Sequence, residues 1–93
     1  MKIELQNTML SGQRTGRTIN CHEDDGTEIL MANVSTTTSP DGVVSLTVEH
    51  HSHLWAGGQG STHQGQSEQE AAEALIDAFL KARSAAEGET QPA

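Results

Sequence analysis

The sequence predicts an α+β fold: a four-stranded antiparallel sheet in the order β-β-β-β-α, with one C-terminal helix packed on one face. Three observations predict it. Four stretches before residue 54 alternate polar and apolar residues or carry β-branched runs, the period-two pattern of strands. Between them lie "EDDG" (23–26) and "SPDG" (39–42), whose Asp-Gly pairs suit tight turns. After residue 66 the apolar period lengthens to three and four, the pattern of an amphipathic helix.

The first strand spans 2–10, with Ile3, Leu5 and Met9 on one face and Lys2, Glu4, Gln6 and Thr8 on the other. "SGQRTG" (11–16) reads as a loop, and "RTINCH" (17–22) as a second strand that puts Ile19 and Cys21 on one side. The third strand, 27–37, differs from its neighbours. Ile29 and Met31 point one way and Leu30, Ala32 and Val34 the other, as in a strand covered on both faces. The fourth, 43–53, places Val44, Leu46 and Val48 on the core side.

The helix opens with a capping box, Ser67 and Glu70. Ala72, Leu75, Ile76, Phe79 and Ala82 form its apolar stripe. Glu68, Glu70 and Glu73 suit its positive start, and Lys81 and Arg83 its end. Residues 1–86 make one domain, and 87–93 read as a disordered tail. One helix covers one face, so Ile29, Met31 and Val43 are expected to leave the opposite face apolar. Self-association through that face or an edge strand would cover it, giving a homodimer or higher oligomer; a partly exposed apolar sheet is the alternative.

Composition narrows the function classes. Leu, Ile, Val and Phe total 16 of 93 residues and the net charge is −8, so the core is thin and a partner or second copy is a natural source of stability. Five Lys and Arg against thirteen acids argue against nucleic acid and for a protein partner with a basic surface. The lone Cys21 excludes an intrachain disulfide, suits burial and fits a reducing cytoplasm. "MKIELQNTML" has no continuous apolar stretch, so neither a signal peptide nor a membrane anchor is expected there.

Residues 49–65, "EHHSHLWAGGQGSTHQG", hold four of the five histidines, the only tryptophan and four of the nine glycines. In an unbroken strand His51 and His53 project to the face carrying Glu49, Thr47 and Ser45, and His50 points core-ward. His-x-His on a strand is a workable metal geometry, with Glu49, His22 or His63 as a third ligand, but no third ligand is fixed by spacing, so no metal or other cofactor is expected. "LWAGGQGSTHQGQ" (54–66) reads as a loop without secondary structure. Its Gly57 and Gly58 allow close approach, and Gln59, Ser61, Thr62 and His63 offer hydrogen bonds. It lacks the lysine of a Walker loop, and Glu68 and Glu70 already occupy the positive helix end. Trp55 serves either the core or an interface. No spacing joins Ser52 or Ser61 to a base and an orienting acid, so no enzyme is expected.

Size, charge, thin core and missing catalytic groups resemble phage-encoded inhibitors of host defence, of the anti-CRISPR-like type; no motif carries that resemblance. It implies a small acidic interaction protein that binds and modulates, above all inhibits, a macromolecular partner in the cytoplasm of a host cell. The exposed helix face offers Glu73 and Asp77 as contacts. The alternative is an oligomeric protein that sequesters a small polar or nucleotide-like ligand under the 54–66 loop. Metal binding through His51 and His53 ranks third.

Overall fold

A computed structural model describes residues 1–52, 55 and 57–90, the last five of them by backbone alone. The order is β1 (Lys2–Leu10), β2 (Gln13–His22), β3 (Glu28–Thr38), β4 (Val44–His51), β5 (Thr62–Gly65) and α1 (Glu68–Thr90). All five strands form one antiparallel meander in sequence order, and α1 packs on one face. The expected α+β architecture is correct, and the sheet has one strand more than the sequence suggested. β5 has no strand signature in the sequence because "THQG" carries no aliphatic residue: the inward position of its alternation is a histidine, His63.

The core lies between sheet and helix. Ile19, Cys21, Leu30, Ala32, Val34, Leu46 and Val48 from the sheet meet Ala72, Leu75, Ile76 and Phe79 from α1, all buried. Burial pushes the Cys21 thiol pKa up, so it stays protonated and inert. Among the described residues no helix is long and apolar enough to cross a membrane.

The β1–β2 connection is tighter than the loop expected over 11–16. Ser11 (φ 52°) and Gly12 (φ 80°) alone make the turn, both left-handed, the pair of values a type I′ hairpin requires. Serine tolerates that region poorly and asparagine better. Ser11→Asn is therefore expected to stabilise the hairpin by a few tenths of a kcal/mol, about 0.5 at most, read as a higher urea midpoint with unchanged m.

Three register shifts bend the sheet. Between Cys21 and His22 the pairing moves from Cys21↔Leu30 to His22↔Glu28, leaving Ile29 as an extra residue. Ile29 is thereby buried in the core cluster rather than placed on the opposite face. That overturns the expected apolar outer face, where Met31 is 41% exposed and its neighbours are Thr18, Asn20, Asn33, Ser35 and Thr47. A Thr8–Thr18–Asn33 hydrogen-bond relay runs across it, at 2.5 and 3.1 Å.

The helix start follows the predicted cap with one change. The Glu70 amide donates to Ser67 Oγ (3.2 Å), and the Glu70 carboxylate accepts from the Gln66 amide (2.7 Å), one residue beyond the cap itself. The helix continues past Ala86 to Thr90, and 91–93 lie outside the described residues. Lys81 and Arg83 are therefore interior to it. Lys81 pairs with Asp77 (3.0 Å), and the Arg83 guanidinium lies over the Phe79 ring at 5.6 Å.

Candidate functional site

A bulge in β4 decides how the histidines are distributed. Val34 pairs with Val48, but Asn33 pairs with His50 and Ala32 with His51, so Glu49 is the extra residue. The side chains of His50 and His51 therefore change face. His50 turns to the outer face, opposite Asn33, and His51 turns to the core side, opposite Ala32 and against Trp55; both border a shallow groove with Met31 and Asn33. The expected placement is thus reversed for both, and Glu49 no longer shares a face with His51. His53 lies outside the described residues. A local sequence pattern cannot reveal this, because a bulge is fixed by how two strands fit each other.

Trp55 belongs to the core. It is 8% exposed, with its ring centroid 5.6 Å from Phe79 (edge-on) and 5.8 Å from both His63 (stacked) and His51 (tilted). The glycines of this segment serve that packing. A Cβ on Gly58 would lie 2.4 Å from the Trp55 ring, and Gly57 and Gly60 hold left-handed φ values of 78° and 84° in the turn. Gln59 is exposed on that turn, and Thr62 Oγ1 bonds Thr47 Oγ1 across the outer face (3.0 Å).

Ser61 and His63 form a hydrogen-bonded pair, Oγ to Nε2 at 2.9 Å. Ser61 Oγ also donates to Gly58 O at 2.6 Å. A hydroxyl has one proton, so the imidazole donates to Ser61 rather than accepting from it. That is the reverse of what a nucleophile needs from its base.

Burial lowers the pKa of His63 below the ordinary imidazole range. The fold therefore favours the neutral ring, and the unfolded chain takes up its proton first as pH falls. This contribution to stability is intact above the unfolded-state value of about 6.5 and is lost progressively below it, towards the lower folded-state value. Denaturant melts at about pH 7.5 and pH 5.5 are expected to show a larger acid loss in the parent than in His63→Gln. Equal losses would remove His63 from the account.

Among the described residues no group of three His, Cys, Asp or Glu side chains is gathered to hold a metal. Of the third ligands considered, His22 engages Glu4 (Nε2 to Oε1 3.6 Å) and the Glu23 carbonyl oxygen (3.1 Å), and His63 is committed to Ser61 and Trp55.

The surface feature with the clearest chemistry lies elsewhere. α1 rides over β4 and β5 and only brushes β1, leaving a groove of about 320 Å³ between β1 and the helix. Its floor is Ile3, Ile76 and Leu80, the exposed Met1 stands at its edge, and its helix-side rim carries Gln69, Glu73 and Asp77, all exposed. Glu73 and Asp77 were identifiable from the helical period. The floor is not legible in the sequence, where Ile3 reads only as one face of a strand and Ile76 as part of a helical stripe. One signal for it was in the sequence: Leu80, an apolar residue outside the stripe that ends at Phe79 and Ala82.

No family model matches the chain, and neither curated proteins nor solved structures give a match.

Proposed function

We propose that the chain is a small acidic interaction protein that docks on a basic surface of a macromolecular partner and inhibits it, in the manner of phage-encoded inhibitors of host defence. The observation that supports this reading is the β1–α1 groove: an apolar floor with Glu73 and Asp77 along its rim, on a chain of net charge −8. Such a surface suits a segment that buries an apolar side chain and presents Lys or Arg beside it. The apolar contact provides affinity, and the carboxylates provide steering and orientation. The 54–66 segment contributes less to a ligand-sequestering role, since Gly58 is occupied by Trp55.

The test begins with capture of a partner from host lysate and native mass spectrometry of the complex. The association rate should then fall as salt rises, because steering is screened beyond roughly 8–10 Å. Glu73→Lys/Asp77→Lys is expected to slow association about tenfold at low salt while leaving Tm within about 2 °C. Binding of a small molecule alone, indifferent to salt and to the charge reversals, would replace this reading with sequestration.

A further inference from the structure

We infer that the free edge of β1 is a self-association surface, at which a second copy of this chain pairs antiparallel about a two-fold axis at Gln6, extending the sheet from five strands to ten.

β1 is an edge strand of nine residues, and among the described residues nothing pairs with its outer side. The opposite edge, β5, has only four residues, too few for a comparable ladder. Exposed edges are normally protected by charges, proline or a bulge in the edge strand itself. β1 has charges only at Lys2 and Glu4, and Gln6–Leu10 holds neither charge nor proline. The irregularity between β1 and β2 places its extra residue, Thr15, in β2, so β1 stays regular. Among the described residues, three of the four large exposed apolar side chains lie at its two ends: Met1 (57%), Met9 (56%) and Leu10 (68%).

The register follows from charge and apolar matching. Pairing about Gln6 sets Lys2 opposite the second copy's Leu10, Ile3 opposite its Met9, and Glu4 opposite its Thr8. No charge meets a like charge, and the two Glu4 carboxylates lie roughly 13 Å apart along the strands. Odd residues face odd, so the outward main-chain groups of both strands meet. Met9 is covered by the partner's Ile3 at the end of the β1–α1 groove. A two-fold axis normal to the sheet leaves both helices on one side, so the two acid-rimmed grooves face the same way. The dimer stands or falls independently of any inhibitory partner.

The experiment uses the full chain. Sedimentation should show dimer at micromolar concentration. Gln6→Cys, with the new thiols directly opposite across the axis, should form an intermolecular disulfide under mild oxidation, whereas Glu4→Cys should not; Cys21 is buried and does not compete. Position 10 fixes the register. Leu10→Glu faces Lys2 of the second copy and Leu10→Lys repels it, so Kd should be at least about fivefold weaker for the lysine variant. A monomer up to millimolar concentration overturns the inference. So does a dimer in which Glu4→Cys cross-links as readily as Gln6→Cys, or in which Leu10→Glu and Leu10→Lys weaken association equally.

Discussion

Trp55→Ala is expected to destabilise the fold by about 3–5 kcal/mol, the cost of deleting a large buried aromatic. In a chain of 93 residues that corresponds to a fall in Tm of well over about 10 °C. The ring fills the end of the core where Phe79, His51 and His63 converge. Gly58 provides an internal control. A Cβ there meets ring carbons at 2.4 and 2.5 Å, so Gly58→Ala forces the indole to move. In a Trp55→Ala background that obstacle is gone, and Gly58 is not held in the left-handed region. The two substitutions should therefore be strongly non-additive, with a coupling of at least about 1 kcal/mol by urea denaturation. Additive costs would show that ring and glycine do not meet.

Gly65→Ala is expected to cost about 1–3 kcal/mol by overpacking, a large effect for one methyl group. Gly65 ends β5 and lies directly under the first turn of α1, with the space for its Cβ only 2.6 Å from the Ala71 amide nitrogen and from Glu70 Cβ. Main-chain atoms cannot turn aside as a flexible side chain does, so the helix must lift or β5 must slip. Lifting would loosen the contact of Ala71 and Ala72 with the sheet, both fully buried. Amide exchange should report the change first along Thr62–Gly65 and the first helical turn. An unchanged midpoint with parental protection there would contradict the close packing.

These two sites show why the fold was easier to read than the site. Strands and helix were legible because their information is local: alternation in Ile3–Leu5 and Val44–Leu46–Val48, turn chemistry at Asp25-Gly26 and Asp41-Gly42, and the Ser67 cap with its apolar stripe. In the sequence Gly58 reads as a residue of a ligand loop, and Gly65 carries no signal beyond lying in the same loop stretch. Each is instead required because something distant in sequence packs against it, an indole in one case and a helix start in the other. His50 and His51 stand on the faces opposite to those an unbroken strand predicts for the same reason, since one extra residue at Glu49 inverts the alternation.

By itself the sequence determined the α+β class, the order of the first four strands, the helix start and the acidic balance, because each follows from residues close in the chain or from composition. Only the tertiary structure decided that Ile29 and Trp55 enter the core, that β5 exists, and that a groove with an acidic rim opens beside a bare β1 edge. Those outcomes depend on cross-strand register and on where one helix rests over a five-stranded sheet. Register is set by the fit between strands far apart in sequence, which no local pattern encodes.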